Sequence, residues 1–263
     1  MRSFWTVRAS FAKALRAKSK VVLLFDFDGT LAPIVGRPER ARLSGRARRV
    51  LHYLACHPRF TVGLVTGRSL ADIQRRAGLE SALHVASHGL EYALPGGRRV
   101  SLLDRKWPAI LRQLRRRVRQ CLPEVTGLRC EPKPHGLAIH YRQVRPSHVP
   151  RLLRAARRVG KEFHPAIRLQ QGKKVVEFLP NVGVTKATAV RAILAPLARG
   201  GRGACLVVYF GDDLTDEPVF RALGRRGWTV RVGGARARTA ARFYLRSPAA
   251  VGRWLEWLTE VTV

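Results

Sequence analysis

Residues 21–31 read Val-Val-Leu-Leu-Phe-Asp-Phe-Asp-Gly-Thr-Leu. An apolar run bounded by a turn signal suits a strand buried on both faces, as in a parallel sheet. The run delivers Asp26 and Asp28 at its carboxyl end, and strand alternation predicts that both point the same way. Two carboxylates that close need a cation between them or a shared proton. Gly29 and Thr30 then break the strand and turn the chain over the pair. Open α/β sheets bind their ligands at the carboxyl ends of strands. The string therefore constrains both the fold class and the place where chemistry occurs. Asp28-Gly29 by itself is an ordinary turn, but the whole string behind an apolar strand is not.

The chain around it alternates in kind. A helical stretch over Ser44–Cys56 precedes a second apolar strand, Phe60–Val65, which ends in Thr66-Gly67-Arg68 before a short helix over Ser69–Ala77. A third strand, Leu83–Ser87, ends in His88-Gly89. Alternating β and α units of this length imply a parallel sheet with right-handed crossovers. From about Glu91 to Pro180 the rhythm changes. A hairpin through Pro95-Gly96-Gly97 leads to a helix over Lys106–Cys121 and strands near Leu128–Glu131 and Gly136–Arg142. A helix over Val149–Gly160 and strands over Ile167–Gln170 and Lys174–Phe178 follow. Such helix-strand-strand runs suit an antiparallel sheet with its helices on one face. From Thr185 the α/β alternation resumes, with a buried strand over Leu206–Phe210 that ends in Gly211-Asp212-Asp213. The expected division is a basic N-terminal segment (1–20), a core domain in two parts (21–92 and 181–263) and an inserted α+β domain (93–180), acting as a lid.

At 263 residues and 46% hydrophobic the chain can bury a proper core. No apolar stretch approaches the roughly 20 residues of a membrane span, so no membrane partner is expected. The first 20 residues are basic and lack acids, with Phe4, Trp5, Val7, Phe11 and Leu15 near helical spacing. Both an organelle-targeting helix and an ordinary leading helix fit that pattern. The formal charge is +33, and only nine of the 50 basic residues are lysine. An arginine excess spread over nearly every segment favours solvated faces over a designed groove. Nonspecific adhesion to polyanions at low salt follows from it all the same, as does inward steering of an anionic substrate. Four cysteines (56, 121, 130 and 205) lack metal-ligand spacing and read as buried thiols in a reducing, cytoplasmic setting.

Asp26/Asp28, Thr66/Arg68, Lys186 and Asp212/Asp213/Asp216 all fall at predicted strand ends or at a helix start. In a parallel sheet those ends converge on one rim. Carboxylates, a hydroxyl and a cation there suit phosphoryl transfer with Mg²⁺, a hard ion held by a few carboxylates, substrate phosphate and water.

The order Asp-x-Asp-Gly-Thr, strand-end Thr, Lys, then Gly-Asp-Asp-x-Thr-Asp resembles the haloacid-dehalogenase-like phosphatases. The finer spelling is similar to the trehalose-6-phosphate phosphatases. It rests on Asp26-Phe27-Asp28-Gly29-Thr30-Leu31-Ala32-Pro33-Ile34, Thr66-Gly67-Arg68, and His88-Gly89 with Glu91. It continues through Glu131, Lys133, His140-Tyr141-Arg142, Gly172-Lys173, Glu177 and Gly211-Asp212-Asp213-Leu214-Thr215-Asp216-Glu217. The resemblance covers roughly Val21 to Phe220. It implies an α/β fold with a parallel, Rossmann-like sheet core and an inserted α+β cap domain.

It also implies roles. Asp26 is the nucleophile that becomes an aspartyl phosphate, and Asp28 protonates the leaving sugar oxygen and later activates water. Thr66 and Lys186 hold the phosphoryl oxygens. Mg²⁺ binds Asp26, the Asp28 carbonyl and Asp212, while Asp213 and Asp216 orient those ligands. Glu131, Lys133 and Glu177 of the cap bind sugar hydroxyls, and Gly67, Arg68, Arg142 and Lys173 join the substrate-binding set. Two departures stand out. That family carries Arg two residues after the cap-strand Glu, where this chain has Leu179 before Pro180. Its Asn-Lys-Gly at the helix start reads Thr185-Lys186-Ala187 here, which keeps the lysine. The first departure leaves the sugar open: trehalose 6-phosphate, sucrose phosphate, or glucosyl- or mannosyl-3-phosphoglycerate. A basic nucleic-acid-binding protein on an inactive scaffold is the reading of another class. It gives five carboxylates on one rim no use and finds no RNP-like, zinc-finger or Gly-rich signature.

Overall fold

Val21, Leu23 and Phe25 pack into one apolar cluster while Val22 and Leu24, which alternate with them, pack into another. The strand they form, Lys20–Phe25 (β2), is accordingly buried on both faces in a nine-stranded, mostly parallel sheet. The computed structural model describes residues 1–103, 106–122, 124–197, 205–235 and 238–262. Within these, two compact units separate: Met1–Ser101 with Thr185–Val263, and Leu102–Val184.

In the first unit β2 pairs in parallel with Phe60–Val65 (β3), which pairs with Leu83–Ala86 (β4). On its other side β2 pairs with Cys205–Gly211 (β11), then come Trp228–Val232 (β12) and Phe243–Leu245 (β13). The chain thus leaves β2 in one direction and returns to β11 on the opposite side. That reversal creates a crevice outside the carboxyl ends of the two neighbouring strands. Arg8–Arg16 (α1), Gly45–Cys56 (α2), Leu70–Ala77 (α3) and Pro248–Thr262 (α8) supply apolar side chains to one face. Lys186–Leu197 (α6) and Glu217–Leu223 (α7) cover the other.

Three features differ from the expectation. The hairpin at Pro95–Gly97 joins Glu91–Ala93 (β5) to Arg99–Ser101 (β6); β5 pairs antiparallel to β4 and β6 antiparallel to β5, so both extend the large sheet. The insert therefore starts at Leu102, not at 93, and runs to Val184. The basic leader is no separate segment: Phe4, Phe11 and Leu15 are buried in the main core, and Arg2–Ser3 (β1) pairs with β13. The leading-helix reading fits this packing, because aromatic burial needs the core as a partner. Last, Cys56 and Cys130 are exposed and Cys121 and Cys205 half-buried, so no described thiol is fully enclosed.

The second unit is a four-stranded antiparallel sheet in the order Arg129–Lys133 (β7), Gly136–His140 (β8), Val175–Pro180 (β10) and Ile167–Gly172 (β9). Leu137, Ile139, Val176, Phe178 and Ile167 on one face pack with Trp107–Cys121 (α4) and Val149–Glu162 (α5). The opposite face carries Glu131, Lys133, His140, Arg168, Gln170, Glu177 and Leu179, by strand alternation and register. No helix among the described residues is long and apolar enough to cross a membrane.

Candidate active site

Regular pairing of β2 stops at Phe25, and one further bond, from the Asp26 N–H to the Phe210 carbonyl at 2.9 Å, carries the backbone into the crevice. Asp26 and Asp28 thus lie beyond the strand, and alternation does not govern them. Their carboxylates are held by different cations. Asp26 Oδ1 lies 3.0 Å from Lys186 Nζ, whereas Asp28 faces Arg68. The Asp26 side chain is 8% exposed and that of Asp28 41%.

Lys186 is placed by the first turn of α6. Thr185 Oγ1 accepts from the Thr188 N–H at 3.2 Å, and the Thr185 N–H donates to Thr188 Oγ1 at 2.8 Å. This reciprocal cap fixes the helix start. The ammonium donates to Asp216 Oδ1 at 2.9 Å, and Tyr209 donates its hydroxyl to the same oxygen at 2.8 Å. Asp216 Oδ2 accepts from the Asp212 and Asp213 N–H groups, both at 3.0 Å. Asp213 Oδ1 accepts from the Leu214 N–H at 2.8 Å, closing the turn. Asp216 therefore anchors the Gly211–Asp216 turn, which carries Asp212 to the end of β11. One ligand oxygen each from Asp26, Asp212 and Asp216 lies within 4.8 Å of the others, all three residues buried.

Three close carboxylates and one ammonium leave an excess of negative charge. Burial pushes Asp26 well above the ordinary carboxyl range, Lys186 opposes this, and Asp216, Asp212 and Asp28 reinforce it. Burial alone would lower Lys186, but Asp216 and Asp26 outweigh it and raise it. Burial, then Asp216, likewise raises Tyr209. A divalent cation fits this charge balance. The local backbone makes room for the Asp212 carboxylate: Gly29 has φ +81°, and a β-carbon there would collide with it. Since Asp216 already accepts four bonds, Asp26 and Asp212 are the carboxylates that remain to face such an ion.

Arg68 differs from expectation. Its guanidinium grips Asp28 with two bonds, Nε to Oδ2 at 2.6 Å and Nη2 to Oδ1 at 2.7 Å. Nη2 also donates to the Pro38 carbonyl at 2.8 Å, Nη1 to Asp72 Oδ2 at 2.5 Å, and the group lies over the Phe27 ring. Four of its N–H groups are thus engaged inside the protein, on Asp28, Asp72 and the Pro38 carbonyl. Thr66 is buried and its Oγ1 accepts from the Arg68 N–H at 3.2 Å, which leaves the hydroxyl proton to donate. Behind this loop Ser87 and His88 adopt φ of 49° and 58°, and their N–H groups bond the Arg68 and Thr66 carbonyls. A β-carbon at Gly67 would lie 2.5 Å from His88 Nε2, so the glycine admits the imidazole.

On the polar face of the second unit, Lys133 Nζ donates to Glu177 Oε1 at 2.7 Å, and Glu131 Oε2 lies 2.7 Å from His140 Nε2. Glu131 and Glu177 both stand opposite Ala138 in the ladder, so these residues share one row. Burial pushes Glu131 up, but His140 and Lys133 hold its carboxyl below its usual range. Arg142 and Lys173 lie apart from that row, at the turn end of the sheet, where Arg142 Nη2 donates to the Lys173 carbonyl at 3.0 Å.

Tyr209, Asp72 and Arg168 escaped the sequence reading. A tyrosine inside the apolar run Leu206–Phe210 was a signal for the first. The other two become meaningful only with the register and the helix phase.

This architecture, a parallel sheet with acids at its switch point and an inserted α+β unit, defines a haloacid-dehalogenase-like hydrolase fold. A solved hydrolase of that description from Bacteroides thetaiotaomicron superposes with TM-score 0.64 at 15% identity, covering 91% of this chain and 99% of that one. The chain belongs to the trehalose-phosphatase family, whose model matches residues 24–248. A trehalose-phosphate phosphatase of Mycolicibacterium paratuberculosis is 36% identical over 248 residues, 90% of this chain and 62% of that protein. The chain thus spans less than two thirds of the length of such curated relatives. The C-terminal domain of a C. albicans trehalose-6-phosphate phosphatase superposes with TM-score 0.81 at 24% identity, covering 96% of each chain.

Proposed function

We propose that this chain is a Mg²⁺-dependent phosphatase that hydrolyses trehalose 6-phosphate to trehalose and phosphate. The observation that carries the reading is the buried set Asp26, Lys186, Asp212 and Asp216 at the sheet's switch point, in a chain of the trehalose-phosphatase family. Asp26 attacks phosphorus, the bond to the sugar oxygen breaks, and an aspartyl phosphate forms. Asp28, released from Arg68 and protonated, gives its proton to the leaving oxygen. It then takes one from the water that hydrolyses the acyl phosphate. The Thr66 hydroxyl and the Lys186 ammonium neutralise the transferred oxygens. Asp26 and Asp212, with the Asp28 carbonyl, would hold Mg²⁺, which when bound supplies charge neutralisation and orientation. Glu131, Lys133 and Glu177 hydrogen-bond the sugar hydroxyls. The free thiols suit a reducing, cytoplasmic setting.

Phosphate release from a panel of sugar phosphates, with Mg²⁺ and after chelation, tests this reading. Expected is Mg²⁺-dependent turnover fastest on trehalose 6-phosphate, reduced to below a few per cent in Asp26→Asn. A faster rate on another sugar phosphate replaces trehalose but keeps the chemistry. An Asp26→Asn protein with substantial activity removes the nucleophile and the mechanism with it.

A further inference from the structure

Leu179, the position where the family's arginine is absent, has Arg168 as its direct partner across the ladder. Cross-strand partners project from the same face, so a guanidinium returns to that face from the neighbouring strand. Arg168 is half-buried on it beside Gln170 and near Glu177. Its Nη1 donates to Gln170 Oε1 at 2.8 Å and its Nη2 to the Val184 carbonyl at 3.1 Å. Its Nε–H is buried, and among the described residues no acceptor meets it. A buried donor of this kind is costly to leave unmet.

The surroundings indicate what meets it. Leu179 and Ala138 are buried apolar positions of the same face, and Gly136 adds no side chain. The Lys133–Glu177 ion pair occupies another part of that face. Charged donors and acceptors gathered on one face match the rim of hydroxyls that a sugar offers. The two Nη bonds fix the plane of the guanidinium, so the Nε–H has one direction in which to donate.

We propose that Arg168 reads the sugar of the substrate, donating from Nε to a hydroxyl oxygen. This inference rests on the reading of the insert's polar face as the sugar-binding surface. It commits a residue that the motif resemblance does not contain.

The test is the ratio of kcat/KM on trehalose 6-phosphate to that on p-nitrophenyl phosphate, for wild type, Arg168→Leu and Arg168→Lys with Mg²⁺ present. A charged hydrogen bond of this kind corresponds to about a tenfold to hundredfold effect. The ratio is expected to fall by at least about tenfold in both variants, chiefly through a higher KM, as for binding lost equally in ground and transition states. The double variant Arg168→Leu/Leu179→Arg, which returns the guanidinium to the same face, is expected to recover part of it. A purely structural arginine, holding the sheet edge through Gln170 and Val184, predicts parallel losses on both substrates. Parallel losses, or an unchanged ratio, overturn the proposal. If Arg168→Leu does not fold, Arg168→Lys decides, since it keeps the charge and lacks the Nε–H. If wild type prefers another sugar phosphate, the ratio is read on that compound, and the Arg168 assignment stands or falls separately from trehalose. A wild type that prefers no sugar phosphate over the aryl ester sinks both readings.

Discussion

Asp72 shows how single side chains set the site from outside it. Its Oδ2 accepts from Arg68 Nη1 at 2.5 Å and from Arg76 Nε at 2.8 Å, and Arg76 donates onward to the Glu39 carbonyl at 2.7 Å. Charges alternate along this line from Arg76 to Asp28, so each guanidinium is oriented before the next carboxylate meets it. Burial pushes the Asp72 carboxyl up, but the bonds from Arg76 and Arg68 outweigh it and lower it to about 2. Because the folded value lies below the ordinary one, the unfolded chain binds the proton more readily. The contribution to stability is therefore complete above about pH 5 and lost as pH falls through about 4 towards 2. With partial exposure discounted, its size is on the order of 1–2 kcal/mol. Asp72→Asn should lose that much at pH 7 and match wild type near pH 2, measured by urea unfolding across the range. A stability difference that does not shrink on acidification removes the ion-pair account.

At the scale of elements, the leading helix α1 is the informative case. Phe11 is fully buried, with ring centroids 5.1 Å from Phe4, 5.0 Å from Trp228 and 5.7 Å from Trp254. Phe11→Ala removes an edge-to-face cluster and leaves a cavity, which costs about 3–5 kcal/mol. Chemical unfolding reads this directly, and a loss below about 1 kcal/mol would show that α1 does not lock the core. That helix illustrates what the sequence could and could not convey. Its apolar spacing was legible, yet the same spacing serves a targeting helix, and only the aromatic partners Trp228 and Trp254, more than 200 positions away, separate the two. The apolar strands β2, β3 and β11 were legible because burial on both faces writes a continuous run, and so were the acids that follow β2 and β11. The short strands β1 and β13 carry two and three residues and write no period. The hairpin β5–β6 was visible as a turn, but its sheet depends on a partner, β4, that turn chemistry does not name. Within the site, Asp26 and Asp212 were legible from strand ends and Lys186 from a helix start. The turning of Arg68 towards Asp28, and the pairing of Arg168 with Leu179, depend on rotamers and register that spacing does not carry.

At the scale of the whole molecule, a formal charge of +33 surrounds a site whose buried carboxylates outnumber its lysine. The two signs act at different ranges. Surface arginines act over a Debye length, about 10 Å at 0.1 M salt, while the buried acids act on what is already bound. The field therefore affects encounter and not chemistry. For a dianionic sugar phosphate, kcat/KM is expected to fall as ionic strength rises from 0.05 to about 0.2 M, while kcat holds. Duplex DNA supplies the contrast. Its binding to scattered arginines is sequence-blind, and contacts to six or more phosphates weaken by about a thousandfold over the same salt range. Steady-state kinetics and DNA titrations in the same buffers separate these cases. A flat kcat/KM means that the field does not guide the substrate. Tight, sequence-selective duplex binding at 0.2 M salt means that the arginines form a reading surface, and the charge then has a purpose beyond steering.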